Sequence, residues 1–73
     1  MPELPVVSGA EAVRALKRLG FTVARQRGSH IVLRRGASGC VAPNHRQLKK
    51  GALSGLLEQA GISADEFMEA LHS

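Results

Sequence analysis

Residues 28–35 read Gly28-Ser29-His30-Ile31-Val32-Leu33-Arg34-Arg35, a short turn followed by an alternating strand. Successive side chains of a strand point to opposite faces of its sheet. Ile31 and Leu33 therefore share an apolar face, which we expect to pack inward. His30, Val32 and Arg34 share the other face. The stretch predicts a histidine displayed on the open side of a sheet.

The turn itself fits this interpretation. Gly28 permits positive φ and suits a hairpin turn after Arg27. Ser29 can hydrogen-bond nearby backbone and so fix the start of the strand. Two roles for His30 remain open at this point: a catalytic group, or a solvated histidine at the end of a strand.

Two further strands flank this one. Residues 21–26 alternate and predict a first strand, followed by a turn over residues 25–29. Residues 36–39 form a second turn, and residues 40–42 predict a short third strand that Pro43 ends. The expected sheet is an antiparallel meander. Its expected inward residues are Phe21, Val23, Ile31, Leu33 and Val41. Its expected open face carries Thr22, Ala24, His30, Val32, Arg34, Cys40 and Ala42.

A helix precedes the strands, after an extended lead over residues 1–7. Ser8 is a good N-cap, and Glu11 completes a capping box. The helix is expected from about Gly9 to Leu19, with Gly20 ending it.

Two helices follow the strands. Residues 44–50 predict a polar connection, and a second helix runs from near Gly51 to Ala60 with leucines at helical spacing. Gly61 ends it, and Ile62 packs back as in a Schellman motif. A second capping box, Ser63 with Glu66, starts a short helix to about Leu71. With both long helices on one sheet face, residues 1–73 predict a single two-layer α+β domain.

Composition narrows the possible partners. Ten Lys and Arg against six Asp and Glu give a formal net charge of +4, which favours an anionic partner. Only two residues are aromatic, so contacts with phosphates should dominate over base stacking. The single cysteine excludes an intramolecular disulfide and favours a reducing compartment. No apolar run is long enough to span a bilayer and no signal peptide is recognisable, so we expect a cytoplasmic protein.

Five short motifs together resemble the HicA family of toxins from toxin–antitoxin systems. They occur in the family's order and at similar spacing: Leu19-Gly20-Phe21, Gly28-Ser29-His30, Pro43-Asn44-His45, Leu48-Lys49-Lys50-Gly51-Ala52-Leu53 and Gln59-Ala60-Gly61-Ile62. Two positions depart from the family pattern. Ala52 stands where threonine is usual, and Ala42 stands where valine is typical.

The resemblance implies a fold like that of double-stranded-RNA-binding domains, with a helix, a three-stranded antiparallel sheet and a helix. It also implies an mRNA-cleaving ribonuclease that a partner antitoxin, HicB, inhibits. The functional histidine of the family lies in the Gly-Ser-His motif and corresponds to His30.

RNA carries its own nucleophile, the ribose 2′-hydroxyl, and histidine is suited to proton transfer near neutral pH. We expect His30 to be the acid/base group, with no metal and no cofactor, and the product to end in a 2′,3′-cyclic phosphate. The expected RNA contacts are Arg27, Ser29, Arg34, His45, Lys49 and Lys50.

Several alternatives remain open. His45 could be a second acid/base group or could only orient its loop. His30, His45 and Cys40 could form a metal site, although no paired metal-ligand spacing is present, and Cys40 could be a nucleophile. The same basic residues would also serve a non-catalytic module that binds double-stranded RNA or DNA. A third alternative function is an interaction domain that binds only an acidic protein partner.

Overall fold

The structure is a computed structural model, and it describes residues 4–73. The first three residues of the expected lead lie outside the described residues. The elements are α1 (Gly9–Arg18), β1 (Thr22–Arg27), β2 (His30–Arg35), β3 (Ser38–Pro43), α2 (Lys50–Ala60) and α3 (Ala64–Leu71). The strands form one antiparallel sheet in the order β1-β2-β3. The predicted α+β fold and its order of elements are confirmed.

The helices begin and end where their local signals predict. The Ser8 hydroxyl accepts a hydrogen bond from the Glu11 N–H at 3.0 Å, and the Glu11 carboxylate accepts one from the Ser8 N–H at 2.9 Å. Ser63 and Glu66 form the same reciprocal pair at α3. None of the helices in residues 4–73 has the length and apolar character to cross a bilayer.

The end of α2 is a Schellman motif, as expected from Gly61 and Ile62. Gly61 has a φ of 72°, and its N–H donates to the Glu58 carbonyl at 3.2 Å. The N–H of Ile62 donates to the Leu57 carbonyl, also at 3.2 Å, and the Ile62 side chain is buried. This geometry turns the chain sharply and satisfies carbonyls that the helix leaves unpaired.

One core joins the helices to a single sheet face. Its largest fully buried side chains are Phe21, Phe67, Leu16, Leu33, Leu48 and Leu53. The connection over residues 44–50, predicted to be polar, contains one core residue, Leu48. Its side chain is buried, and its N–H donates to the Val7 carbonyl at 2.7 Å. The connection is therefore pinned to the core at this residue.

The predicted inward set is wrong at β3. The turn after β2 comprises only Gly36 and Ala37, so β3 starts at Ser38, two residues earlier than expected. The resulting register pairs Leu33 with Cys40 and Ile31 with Ala42. Directly opposed residues share a face. Cys40 and Ala42 are therefore buried, whereas Val41 points outward.

The prediction for Val23 is right in its face but not in its burial. Val23 pairs with Leu33 on the sheet face that the helices cover, which we call the covered face, yet it is 40% exposed. β1 is an edge strand, and α2 packs mainly on β3 at the opposite edge. The helices therefore leave Val23 partly uncovered.

The first residue of α1 is packed against the segment that follows β3. The Gly9 N–H donates to the His45 carbonyl at 2.8 Å. A Cβ at Gly9 would overlap the Pro43 carbonyl oxygen and lie 2.8 Å from the Asn44 Cα. Only glycine allows this approach, because the neighbouring atoms belong to backbone and cannot rotate away.

Substitution Gly9→Ala should therefore destabilise the fold. We expect the free energy of unfolding to fall by about 1–3 kcal/mol through overpacking. Gly55→Ala is the matched control, since a Cβ at Gly55 meets nothing within 4 Å. It should raise stability by up to about 1 kcal/mol through helix propensity. Urea unfolding measures both changes, and an equally stable Gly9→Ala protein would contradict the close packing.

Stability should also depend on acidic pH through the capping boxes. Hydrogen bonds from the Ser8 backbone and hydroxyl hold the pKa of Glu11 below its ordinary value of 4.5. A lowered pKa stabilises the fold above the ordinary value, and that contribution is lost as pH falls through the folded-state pKa. Glu11→Gln retains a capping-box side chain but does not titrate. We expect wild type and Glu11→Gln to differ most at neutral pH and to converge in acid.

Unfolding curves at a series of pH values test this expectation. Glu69→Gln is the control, because the Glu69 side chain belongs to neither capping box. A stability difference between wild type and Glu11→Gln that did not change with pH would be inconsistent with the capping role.

Candidate active site on the open sheet face

The sheet face opposite the helices, which we call the open face, is organised in three rows. Each row takes one residue from each strand, and each pair is directly opposed in the register. The rows are Arg27–His30–Pro43, Arg25–Val32–Val41 and Thr22–Arg34–Gly39. Successive rows lie about 7 Å apart along the strands.

His30 is the first residue of β2 and follows the two-residue turn Gly28-Ser29. Gly28 has a φ of 57° and Ser29 does not have positive φ, a combination found in type II′ hairpin turns. His30 is exposed, whereas its neighbour Ile31 is buried against the helices. The predicted position of His30 on the open face is therefore observed, and the turn is shorter than predicted.

A β-bulge in β1 determines which arginines join His30. The register pairs Val23 with Leu33 and Arg25 with Val32, so Ala24 is an extra residue without a partner. A bulge of one residue reverses the alternation of side chains beyond it. Ala24 therefore does not take the regular open-face position expected of it, and Arg25 and Arg27 occupy the open face instead of the covered one.

Arg25 is not among the predicted site residues, and the sequence pattern assigns both Arg25 and Arg27 to the turn over residues 25–29. In the structure β1 extends to Arg27, which is directly opposite His30. Arg34 lies two residues beyond Val32 on the same face, as predicted.

The Pro43-Asn44-His45 motif lies beside the Gly28-Ser29-His30 motif. Pro43 is paired with His30, and the Asn44 N–H donates to the Ser29 carbonyl at 2.6 Å. The Ser29 backbone therefore joins the two motifs, rather than the Ser29 hydroxyl. The His45 carbonyl accepts the Gly9 N–H, and this bond fixes the motif to the start of α1.

Lys49 and Lys50 are exposed but are not part of the open face. Lys49 is the N-cap residue of α2 and Lys50 its first residue. α2 packs on the covered face, mainly against β3. The structure thus brings His30, Arg27 and Arg34 together on one face of the sheet and does not place the two lysines on that face.

Cys40 is on the wrong side of the sheet for a site with His30. Its side chain is 4% exposed in the core, and burial raises the pKa of its thiol. The expected position of Cys40 on the open face is therefore wrong. A metal site or a nucleophile–base pair that combines Cys40 with His30 is excluded. Residues 4–73 contain no group of three His, Cys, Asp or Glu side chains that could hold a metal ion.

The positive charge is concentrated in the middle of the chain. All ten Lys and Arg lie within residues 14–50, and residues 12–57 contain no Asp or Glu. This separation is visible in the sequence and would have indicated a sheet free of carboxylates. The open face accordingly combines three arginines and a histidine without an acidic neighbour on any of the strands.

Two other arginines have structural partners. The Arg18 guanidinium donates to the Ala70 carbonyl at 2.8 Å and joins α1 to α3. The Arg35 guanidinium donates to the Leu19 carbonyl at 2.8 Å and lies 4.7 Å above the Phe21 ring. In residues 4–73, the side chains of Arg25, Arg27 and Arg34 make no such contact.

A family model described as the HicA toxin of bacterial toxin–antitoxin systems matches residues 9–62. The match starts at the first residue of α1 and ends just after α2, so it includes the whole open face and both histidine motifs. α3 lies beyond it. No curated protein matches the chain.

The buried position of Cys40 predicts a slow reaction with thiol reagents. The thiolate is the reactive form, and both burial and the raised pKa oppose its formation. Alkylation of the native protein should accelerate strongly when denaturant unfolds it. In a Cys40→Ala, Val41→Cys variant the thiol lies on the open face and should react without unfolding. Equal rates for the two native proteins would contradict the observed register.

Proposed function

The chain belongs to the HicA family of toxins of bacterial toxin–antitoxin systems, and from this premise we propose that it is an endoribonuclease that cleaves mRNA. We assign the acid/base role to His30. The observation that carries the proposal is the exposed His30 imidazole on a sheet face that contains three arginines and no carboxylate.

The proposed reaction uses the ribose of the substrate as the source of the nucleophile. His30 accepts the proton of the 2′-hydroxyl, and the 2′-oxygen forms a bond to the adjacent phosphorus. The bond from phosphorus to the 5′-oxygen breaks. The products are a 2′,3′-cyclic phosphate and a 5′-hydroxyl, so no water is consumed in this step. Negative charge grows on the phosphoryl oxygens in the transition state, and neighbouring cations stabilise it.

Arg27 is the nearest candidate for that charge stabilisation. It is directly opposite His30, and Cβ atoms of directly opposed residues lie about 5 Å apart. A phosphodiester above this row can contact the imidazole and the guanidinium together. Guanidinium groups bind phosphate oxygens through two parallel hydrogen bonds, which also fix the orientation of the phosphate.

The leaving 5′-oxygen also needs a proton. It departs on the side opposite to the attacking 2′-oxygen, so its proton comes from a donor other than His30. Two donors fit this requirement: the exposed His45, in the motif adjacent to His30, and water. A His45→Gln variant separates them, because loss of an acid catalyst lowers kcat whereas loss of an RNA contact raises KM.

The remaining proposed contacts position RNA around His30. Arg34 contacts a phosphate on the open face. Ser29 and His45 contact the RNA near the turn that joins β1 and β2. Lys49 and Lys50 attract the RNA backbone from the start of α2. Contacts of this kind neutralise phosphates without reading sequence, so binding should weaken steeply with salt.

We also propose that a HicB-like antitoxin inhibits the enzyme by covering the open face. Acidic groups of the antitoxin would meet Arg25, Arg27 and Arg34, and its backbone would exclude RNA from His30. A purified complex in which His30 stays accessible to an RNA oligonucleotide would contradict this form of inhibition.

Substitution His30→Ala should lower RNA cleavage by about 100-fold or more, the range found for acid/base groups. The fold should not change, because His30 is exposed. His72→Ala is the control, since His72 is the C-cap residue of α3 and is also exposed. Cleavage of a labelled RNA should give cyclic-phosphate ends and continue in the presence of a chelator.

Other outcomes favour other functions. A wild-type protein that binds RNA and protects it from cleavage would support a non-catalytic double-stranded-RNA-binding module. A fully active His30→Ala protein would exclude His30 as the acid/base group. Growth arrest on expression of wild type, but not of His30→Ala, would connect the cleavage to toxicity.

A further inference from the structure

The middle row of the open face combines apolar side chains with an arginine. Val41 is 39% exposed and Val32 is half-buried, and the two are directly opposed. Arg25 is opposite Val32 on the other side. The row therefore places a partly exposed apolar pair beside a guanidinium, in the row next to that of His30.

The structure reaches this arrangement through the bulge at Ala24. A bulge interrupts the hydrogen-bond ladder and leaves one residue unpaired. Here it brings Arg25 to the same face as His30. Within residues 4–73, the Arg25 guanidinium has no hydrogen bond or ion pair, so it is available to a ligand.

We propose that the row Arg25–Val32–Val41 is a subsite for one unpaired nucleotide of a single-stranded RNA, next to the phosphate at His30. The nucleobase packs on Val41 and Val32, and Arg25 binds the phosphate of that nucleotide. This subsite rests on the proposed ribonuclease function and adds to it the class of RNA that the enzyme accepts.

Charge favours RNA over a protein as the occupant. The subsite lies between Arg27 in one neighbouring row and Arg34 in the other, and none of the three rows contains a carboxylate. An apolar pair surrounded by three arginines suits a polyanion with flat apolar faces. Nucleic acid has both properties, because phosphates alternate with base faces.

Geometry favours a single strand over a duplex. Rows spaced about 7 Å apart leave room for a base to lie flat between neighbouring phosphate contacts. A base face is accessible to a side chain only when the base is unstacked, as in loops, bulges and ends. Valine provides a smaller contact area than an aromatic ring, so the preference among bases should be modest.

The first test replaces the proposed phosphate contact. Arg25→Gln should lower kcat/KM for an unstructured RNA oligonucleotide about tenfold, mainly through KM. Losing one phosphate contact should also reduce the slope of log affinity against log salt by about one. Arg14→Gln is the matched control, because Arg14 is an exposed arginine on α1. It should change kcat/KM by less than about twofold and leave the salt slope unchanged, because it removes no phosphate contact.

The second test replaces the apolar contact. Val41→Thr keeps the β-branched shape of valine and replaces one methyl group with a hydroxyl. Val23→Thr is the matched control, because Val23 is 40% exposed, lies on the other edge strand, and faces the opposite side of the sheet. Val41→Thr should raise KM several-fold and alter the base preference beside the cleavage site. Val23→Thr should do neither.

Annealing the oligonucleotide to its complement should abolish cleavage by wild type, because the bases are then stacked and paired.

Each outcome can be assigned. If Arg25→Gln and Val41→Thr behave like their controls in an active enzyme, the subsite is overturned and the ribonuclease function stands. If wild type cleaves no RNA, the proposed function fails. The subsite is then judged by oligonucleotide affinity in a His30→Ala background, where equal affinity with and without Arg25→Gln overturns it. If the two variants no longer bind a co-expressed antitoxin but cleave RNA with unchanged kinetics, the subsite is overturned and the row is a protein interface.

Discussion

The alternation of side chains along β2 is the constraint on which the rest of the structure depends. Ile31 and Leu33 are buried against the helices, and this burial forces the residues between and beside them into solvent. The two-residue turns on either side, Gly28-Ser29 and Gly36-Ala37, transmit this register to β1 and β3. Whether a residue in the sheet belongs to the core or to the open face therefore follows from its alignment with β2.

How far the sequence predicts the fold depends on how strong each local signal is. Two Ser-x-x-Glu capping boxes and a glycine followed by isoleucine define helix ends, and their hydrogen bonds form as expected. The turn after β2 is harder, because Gly-Ala-Ser-Gly permits several turns and has no alternating apolar residues. The length of this turn does not decide the faces of β3, because a difference of two residues preserves the alternation. The wrong faces came from taking Val41 as the core residue, whereas the smaller Cys40 and Ala42 are the buried ones.

The site likewise contains residues with strong local signals and residues with weak ones. His30 begins the most strongly alternating strand of the chain, so its face could be predicted. Arg25 could not be, because its face depends on an extra residue, Ala24, that leaves no hydrophobic signature. The association with ribonuclease chemistry came from the resemblance of ordered motifs to a family, not from composition. Net charge indicated an anionic partner, but only the structure separates Arg18 and Arg35, which bind carbonyl oxygens, from the three arginines of the open face.

The bulge at Ala24 also affects how the molecule behaves among copies of itself. The outer edge of a sheet offers unpaired backbone groups to any other extended chain, and such edges promote aggregation. At β3 the Val41 N–H is occupied by the Gln59 side chain, whereas β1 has no neighbouring strand beyond it. An irregular, twisted edge bearing Arg25 and Arg27 is a poor template for a second β1, since the strands would mismatch and their charges would repel. The bulge that places Arg25 on the open face therefore also disfavours pairing between the β1 edges of two copies of the protein.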